Sequence, residues 1–571
     1  MRTIPLILLL AAAAAAQPPG GSVIRPGGGG VQKADPAPDK KGYWVIRPGG
    51  TATRPVLAGQ PPAAPTAPAN TRPAPAPKPA ADGLGAVVYE SWDSASLRGQ
   101  RVGYYHTIVR EHVKDGRTYR YGTRTQKLTI GRFGDKVEQQ SEDSTVETLD
   151  GAIAVTVSRQ EIGKGQKLTL TGTVKGRQLE ITVEGAVTDT KTIPWPDGVA
   201  GVAKEATIIQ ARKPRPGESF EYLTYLGSFT AVVRYGVECK AIETVPLEPG
   251  QPPRELVRLE QDMEPIGDFK LPKATVWCDP VTYEPLKLEQ DMPMFGGKMV
   301  VRRTTREEAT KPITGPVPDL FDVQSIKLNR DIPDVHGKQS VTYRVTLGSD
   351  LPPAKAFKAD ARQAVTPSGD KSGKPFDLTV TAVRQPGPAL GLRLDASDEY
   401  LGTSYFIDWD KPEVKAHAAA ATANLPATAT PFQKAQAVEG WVRRNMKAAD
   451  YSQSMATCGN TAKTLSGDCT EYAMLAAGLC RAVGVPSRTA LGLVYAPGPG
   501  GSPVLAYHMW FEVFADGQWV ALDGTLGRGS VGPGHLKITD HSWDKVQDFL
   551  PLLPVISVLG ATPKVEVVGV K

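Results

Sequence analysis

The sequence predicts a multidomain protein that consists of a large antiparallel β domain, a small sandwich-like β domain and a C-terminal α+β domain. Three observations lead to this prediction. The chain has 571 residues, several times the usual length of one domain. Apolar and polar residues alternate with period two over much of residues 83–315, as in strands with one solvated face. Beyond residue 400, apolar residues recur at helical spacing, and a hairpin follows.

The composition is that of an ordinary folded protein, and it excludes several classes. Apolar residues make up 40% and charged residues 22% of the chain, so a wholly disordered protein is excluded. A net charge of +6 is too small for this length to indicate a nucleic-acid or membrane-surface partner. No apolar run reaches the roughly 18 residues that a transmembrane helix requires, so we expect no integral membrane segment.

Residues 1–16 are predicted to be a signal peptide. Arg2 supplies a positive charge, and the apolar segment that follows is too short to span a bilayer. Small residues before Gln17 fit a cleavage site, and no cysteine follows that would indicate a lipid anchor. We therefore expect a periplasmic or secreted protein.

Residues 17–82 are predicted to form a disordered linker. They are rich in Pro, Gly and Ala, and apolar residues are too sparse to offset the entropy of an ordered chain. The segment Val-Ile-Arg-Pro-Gly-Gly occurs twice, at residues 23–28 and 45–50. It could be a docking motif, but linker composition is the simpler explanation.

The two β domains are placed at residues 83–315 and 316–400. In the first, alternating runs at 168–171 and 179–183 flank a Lys-Gly turn, which predicts an antiparallel sheet. In the second, fewer strands are separated by Pro and Gly, which favours a small sandwich. Neither region shows a group of catalytic residues.

The C-terminal domain, residues 401–571, opens with two predicted helices. Asp410 and Glu413 have the spacing of a capping box. In a capping box, the side chain of each residue accepts a hydrogen bond from the backbone N–H of the other residue. Thr430 repeats the start signal, with Pro431 at the first helical position. Both helices should pack an apolar face inward.

A third predicted helix carries the candidate nucleophile. Asp468 and Glu471 form another capping-box pair, and Gly484 stops the helix. This places Cys469 in the first turn. Unpaired N–H groups and the helix dipole favour thiolate over thiol there, so Cys469 is a candidate nucleophile.

Five cysteines is an odd number for an exported protein, so at least one thiol must stay free or pair between chains. Cys458 could reach Cys469, and a disulfide staple between them is the main alternative to a reactive thiol. Cys480 lies about 16 Å along the helix axis from Cys469, so it is assigned to the core. Cys239 and Cys278 could pair within the first β domain.

A predicted hairpin supplies the partners of the thiol. The two-residue turn Asp516-Gly517 sets a register in which Asp523 is diagonal to His508 on one face of the ribbon. A carboxylate beside an imidazole fixes its tautomer and stabilises its charged form, which in turn stabilises a thiolate. The three residue types of a thiol triad therefore fall within residues 469–523.

Several blocks in this region occur in the order of a known family. They are Gly-x-Cys-x-x-x-Ala at 467–473, Gly-Val-Pro-Ser-Arg at 484–488, His-x-Trp-x-Glu-Val at 508–513 and Trp-Val-x-Leu-Asp at 519–523. Together they resemble the transglutaminase-like superfamily over about residues 400–550. The resemblance implies an α+β papain-like transglutaminase core, in which the cysteine helix packs on an antiparallel sheet.

The resemblance also implies the chemistry of a thiol-dependent acyl-transfer enzyme that acts on peptide or protein amides. Cys469 would be the nucleophile, His508 the general base and acid, and Asp523 the orienting group. The backbone N–H of Cys469 would donate to the oxyanion, and a second donor is left unassigned among residues 453–460. We expect no cofactor and no metal, since the sequence has no Asp-x-Asp-x-Asp-Gly calcium loop.

Three neighbouring residues have other interpretations. His535 and His541 lie in Gly-rich and polar surroundings beyond the hairpin, so we expect both to be solvated loop residues. Arg488 matches a family position and could orient loops through charge-assisted hydrogen bonds, or it could be an ordinary surface arginine.

Two classes of function remain open. Hydrolysis by a peptidase or amidase is favoured over crosslinking, because bacterial members of the resembled family are often proposed to be hydrolases. The alternative is a non-catalytic periplasmic binding or assembly protein that uses a transglutaminase-like scaffold. In either case the partners would be a peptide or protein substrate and, through the β domains, other envelope proteins.

Overall fold

The computed structural model describes residues 85–132, 135–161, 167–184, 189–248, 250–319, 324–369, 374–387, 397–448, 455–498, 501–544 and 550–571. All of them belong to one compact unit, and a second unit, residues 19–75, lies outside the described residues. The predicted signal peptide (1–16) and linker (17–82) lie outside them as well. The described chain is predominantly β, with few helices.

The predicted large antiparallel domain contains one sheet of fifteen strands. They are β1 (Ala86–Leu97), β2 (Gln100–Lys114), β3 (Arg117–Arg132), β4 (Asp135–Thr148), β5 (Ile153–Glu161), β6 (Lys167–Lys175), β7 (Gln178–Glu184), β8 (Asp189–Pro194), β9 (Val199–Ala200), β10 (Ser219–Leu226), β11 (Ala231–Val245), β12 (Arg254–Met263), β13 (Ala274–Cys278), β14 (Pro285–Met292) and β15 (Gly297–Thr304). Across the sheet the order runs from β8 back to β1 and then from β15 back to β9. Only the short pairing of β9 with β10 is parallel.

The period-two pattern explains this sheet. In β7, Leu179, Ile181 and Val183 are fully buried, while the residues between them point to the other, more exposed face. One helix, α1 (Val202–Arg212), packs against β2, β3 and β4. Glu205 of α1 forms a buried ion pair with Arg124 of β3, at 3.0 Å between Oε2 and the guanidinium.

The remaining strands are β16 (Ile326–Lys327), β17 (Ser340–Thr346), β18 (Gln363–Pro367), β19 (Phe376–Thr381), β20 (Lys447–Ala448), β21 (Ser466–Gly467), β22 (Ser487–Pro497), β23 (Pro503–Ala515), β24 (Gln518–Leu522), β25 (His535–His541) and β26 (Lys564–Val570). The remaining α-helices are α2 (Arg306–Ala309), α3 (Pro353–Ala356), α4 (Ser397–Leu401), α5 (Pro412–Thr422), α6 (Pro431–Asn445), α7 (Cys458–Thr464), α8 (Cys469–Ala482) and α9 (Leu553–Gly560). Single 3₁₀ turns span Gly227–Phe229, Pro293–Phe295, Val335–Gly337 and Leu550–Leu552.

A four-stranded antiparallel sheet takes three of its strands from residues 316–400. Its order is β18-β19-β17-β26, so the last strand of the chain completes it. The described residues of 316–400 form no second sheet that would make a sandwich. Because the contacts keep this region and the C-terminal region in one compact unit, the domain boundaries after residues 315 and 400 stay a prediction.

The C-terminal region has the predicted α+β architecture. Its sheet has the order β16-β23-β22-β25, and β24 pairs with the distal part of β23. The short strands β20 and β21 form a separate parallel pair. Helix α8 packs on β22 and β23 and is surrounded by α5, α6 and α7. Within the described residues, no helix is both long enough and apolar enough to cross a membrane.

The helix starts were largely predicted. Thr430 caps α6 in a complete capping box with Gln433, and Pro431 is its first residue. The capping box predicted at Asp410 is wrong, because α5 has Lys411 at its N-cap and no side-chain cap. Asp410 instead accepts a hydrogen bond from Thr403 at 3.1 Å.

A cluster of buried charges crosses the five-stranded sheet. Glu512 of β23 accepts hydrogen bonds from Arg488 of β22 at 2.7 and 2.9 Å and from Lys537 of β25 at 3.0 Å. Arg488 also pairs with Asp540 at 2.9 Å, and its guanidinium lies 4.0 Å from the ring centre of Trp519. The interpretation of Arg488 as a surface residue is therefore wrong, since it helps to join three strands.

We expect Glu512→Gln to destabilise the fold by about 3 kcal/mol at pH 7, the lower end for breaking a buried ion pair, because Lys537 loses one counter-charge but keeps Asp360 and Asp540. Burial opposes ionisation of Glu512, but Lys537 and Arg488 outweigh it and lower its pKa to about 2. Since the folded-state pKa is depressed from the ordinary 4.5, this contribution is present above pH 4.5 and is lost as the pH falls towards 2. The difference in unfolding free energy between the unmodified protein and Glu512→Gln should therefore disappear as the pH falls from 4.5 towards 2.

Chemical denaturation at pH 7, 4.5 and 3 measures this difference in unfolding free energy. The matched control is Glu180→Gln, which removes an exposed ion pair with Lys175 and should change stability by less than about 1 kcal/mol. Equal stability of the Glu512 and Glu180 variants at pH 7 would contradict the expectation.

Candidate active site

Helix α8 begins at Cys469, as predicted. The Asp468 carboxylate accepts a hydrogen bond from the backbone N–H of Thr470 at 2.9 Å, and Glu471 Oε2 accepts one from the backbone N–H of Asp468 at 2.9 Å. The Asp468 carboxylate also accepts the backbone N–H of Glu471, which completes the capping box. Cys469 sits in the first turn with no exposed surface.

All five cysteines are buried thiols. The predicted alternative of a staple between Cys458 and Cys469 is therefore wrong. The Cys458 sulfur packs over Gly478, where an added Cβ would lie only 2.2 Å from it. That glycine is nine residues beyond Cys469, or about 13 Å along the helix axis. Cys239 and Cys278 of the large sheet are likewise not joined.

His508 lies on β23, and Asp523 directly follows β24. The hairpin turn is at Asp516-Gly517, and both of these residues adopt the positive φ that a tight two-residue turn requires. The resulting register brings His508 Nε2 to 2.7 Å from Asp523 Oδ2. Each side chain is at most 2% exposed, so the contact that the hairpin register predicts forms in the interior.

The carboxylate of Asp523 has hydrogen bonds at both oxygens. Oδ1 accepts from the backbone N–H of Thr525 at 2.8 Å and from its hydroxyl at 2.6 Å. Oδ2 contacts the imidazoles of His508 and His535. Burial opposes the charged form, but His508 and the hydrogen bonds from both imidazoles hold the pKa of Asp523 well below its ordinary value.

His535 is not the solvated loop residue that the sequence predicts. It begins β25, has no exposed surface, and its Nε2 lies 2.9 Å from Asp523 Oδ2. Burial lowers its pKa to about 3 despite the nearby carboxylate. His541 ends the same strand, where its Nδ1 accepts the backbone N–H of Trp543 at 2.8 Å. The alternation of residues 535–539 was the available signal for this strand.

His508, Asp523 and His535 also form the group whose positions could suit a metal ion. Their ligand atoms lie within 4.8 Å of one another. The nitrogen–oxygen separations of 2.7 and 2.9 Å are those of charge-assisted hydrogen bonds. We therefore interpret the group as a hydrogen-bonded cluster.

Glu439 on α6 is a further residue that the sequence analysis missed. It accepts the backbone N–H of Asp523 at 3.1 Å and that of Gly529 at 2.6 Å. Burial raises its pKa to about 7. Its place on the inward face of α6 was the available signal, because a glutamate among buried apolar residues requires partners.

The first turn of α8 lies beside the residue that follows Asp523. A Cβ added to Gly524 would lie 3.8 Å from Tyr472 Cδ1. Tyr472 is three residues beyond Cys469 and so shares a face of α8 with it. Helix α8 also packs on β23, the strand of His508. The elements that carry the three predicted residues therefore pack against one another.

The structure narrows the search for a second oxyanion donor among residues 453–460. Four backbone N–H groups there already donate to other acceptors: Ala456 to Glu471, Cys458 to the Phe406 carbonyl, Gly459 to Asp408, and Asn460 to the Thr457 hydroxyl. These four are therefore excluded as donors. Met455 has a φ of 130°, an uncommon conformation for a residue with a side chain.

Several solved structures, among them the following three, are similar to parts of this chain. One from Cytophaga hutchinsonii, named "Putative Cysteine Protease", is 18% identical, with 36% of this chain and 80% of that chain covered and a TM-score of 0.24. A "Beta-barrel-like Protein" from Brucella abortus is 7% identical, with 38% and 95% covered and a TM-score of 0.29. A "Putative Protease" from Parabacteroides distasonis is 11% identical, with 63% and 64% covered and a TM-score of 0.17.

No protein with a curated description matches the chain. A family model does match, and it ends just past Asp523. The matched segment contains α6, α7, α8 and the hairpin, which together hold Cys469, His508 and Asp523. Residues 418–524 of this chain thus match the transglutaminase-like superfamily, the family that the blocks around these three residues predict.

Proposed function

We propose that this protein is an exported, thiol-dependent acyl-transfer enzyme that acts on peptide or protein amide bonds. The observation that carries the proposal is the buried 2.7 Å contact between His508 and Asp523 inside a transglutaminase-like segment whose first-turn cysteine is Cys469. Cys469 is the nucleophile, His508 the general base and acid, and Asp523 the orienting group.

The environment of Cys469 supports a thiolate. The start of α8 presents backbone N–H groups and the positive end of the helix dipole. A carboxylate in the same turn would oppose this effect. Burial and the neighbouring Asp468 raise the pKa of Glu471 well above its ordinary value, although the backbone N–H groups of Ala456 and Asp468 oppose this shift. The tendency of Glu471 to carry a negative charge beside Cys469 is therefore weakened.

The reaction proceeds in two halves. His508 takes the thiol proton, and the Cys469 sulfur attacks the amide carbonyl, whose oxygen accepts the backbone N–H of Cys469 in the tetrahedral intermediate. His508 then gives the proton to the departing amine, and a thioester remains. Water, deprotonated by His508, attacks the thioester and releases a carboxylic acid and the thiol. Asp523 stabilises the imidazolium at each stage.

The acceptor decides between two activities. Water gives a peptidase or amidase, and a lysine amine gives a crosslink. We place hydrolysis first, as the family resemblance implies. Export to the periplasm or beyond, suggested by residues 1–16, and contacts of the large and four-stranded sheets with envelope proteins belong to the same proposal. The burial of all five thiols would protect them from pairing in an oxidising compartment.

One observation favours the second candidate function, a non-catalytic scaffold. Cys469 has no exposed surface and His508 is 1% exposed, so a substrate needs an opening that this conformation does not provide. A binding or assembly protein would need no such opening. Reactivity of the thiol and turnover of an amide therefore separate the two candidates.

We expect an alkylating reagent to label Cys469 at least about tenfold faster than Cys480 in the folded protein, because only a thiolate reacts readily. Cys480 is the internal control, because it is buried as completely as Cys469 and because burial raises the pKa of its thiol. Mass mapping after timed quenching measures both rates. His508→Ala should slow the labelling of Cys469 alone. Equal rates for the two cysteines in the unmodified protein would contradict an activated thiol.

Incubation with peptide amides, with and without a primary amine, tests the acyl transfer. Cleavage or ammonia release without the amine indicates hydrolysis, and incorporation of the amine indicates transfer. Cys469→Ala should lose activity by at least about 10³-fold, as expected for a nucleophile. The matched control Cys480→Ala should stay active. If both variants and the unmodified protein are equally inactive, the scaffold is favoured.

A further inference from the structure

We propose that His535 is a second positioning residue of this site, which donates its Nε2–H to the carboxylate that orients His508. The inference rests on the proposed function, because it concerns how that triad is held. Its basis is that a single oxygen, Asp523 Oδ2, lies 2.7 Å from one imidazole nitrogen and 2.9 Å from another.

The hydrogen bonds of Asp523 determine which ring nitrogen of each histidine carries a proton. An ionised carboxylate can only accept, and Oδ1 of Asp523 already accepts twice from Thr525. Both imidazoles must therefore donate through Nε2. This tautomer leaves Nδ1 of His508 to accept the thiol proton. His535 is a neutral donor. Its buried Nδ1 has no hydrogen-bond acceptor among the described residues that would stabilise a second proton on the ring.

The surroundings of His535 keep it in the donor state. The titratable groups that face it are Asp523, His508 and His336, whose ring centre is 5.1 Å away. The ring of Trp510 packs edge-on at 5.1 Å. Burial lowers the pKa of His535 to about 3 and that of His336 to about 4, so both rings are neutral near neutral pH.

The sheet is built to bring the two histidines together. Strand β22 separates their strands, and it places Gly492 opposite His508. A Cβ at Gly492 would lie 3.0 Å from Trp510 and 2.0 Å from the Leu536 carbonyl, so a side chain has no room there. The pairing of β22 with β25 also shifts register between Leu491 and Gly492. Such irregularities re-aim side chains beside functional sites.

Two substitutions separate donation from packing. His535→Gln keeps an N–H that can reach Asp523, whereas His535→Leu fills similar space and cannot donate. The readout is the pH profile of Cys469 alkylation, which needs no substrate. We expect His535→Leu to slow labelling by about tenfold at neutral pH and to move the profile upward by about one pH unit, because the thiolate loses an oriented imidazolium.

The conservative variant should rescue the defect. We expect His535→Gln to stay within about threefold of the unmodified protein, and the control His541→Leu, on the same strand, to leave the profile unchanged. Circular dichroism of each variant verifies folding. Equally slow labelling by both folded His535 variants would overturn the donor role in favour of packing. Labelling by His535→Leu as fast as by the unmodified protein would overturn it too.

Two further results have defined meanings. If the unmodified protein labels Cys469 no faster than Cys480, the proposed function fails, and this inference with it. If fast labelling is seen but His535→Leu does not change it, only this inference fails. Stoichiometric zinc in the purified protein that is lost in His535→Gln would also overturn it, because the cluster would then be a metal site.

Discussion

A single buried negative charge, the carboxylate of Asp523, is the constraint on which the C-terminal site depends. An unpaired charge at that depth would be strongly unfavourable, and four hydrogen bonds from three residues stabilise it. Each of those donors is held by a different part of the fold. The backbone of the same residue is fixed by Glu439 of α6. The helix α6, the hairpin and the edge strand β25 therefore each contribute a residue that holds Asp523 in place.

Local signals made much of this predictable. Capping boxes located the starts of α6 and α8, and so placed Cys469 in a first turn. The Asp-Gly turn set the hairpin register, and that register alone predicts the approach of His508 to Asp523. In the large sheet, period-two alternation gave the strands their buried faces. In each case the interacting residues are close in sequence, so backbone geometry links them directly.

The rest depended on pairings that local patterns do not encode. His535 reaches Asp523 only because β25 pairs with β22, which lies some forty residues earlier in the chain. Lys537 is buried for the same reason, beside Glu512 of β23. When the partner strand is unknown, a histidine in Gly-rich and polar surroundings is predicted to be a solvated loop residue. The four-stranded sheet likewise takes a strand, β26, from far outside residues 316–400, a pairing that no local pattern in that region encodes.

The pairing of β17 with β26 also has a consequence for biosynthesis. Strand β17 ends at Thr346 and β26 begins only at Lys564, so a long stretch of chain is synthesised between the two partners. The four-stranded sheet cannot close until β26 has been synthesised as well. Loop closure over such a distance is slow compared with local hairpin formation. A premature stop or a nick ahead of β26 would thus leave an open sheet edge, which is a template for aggregation.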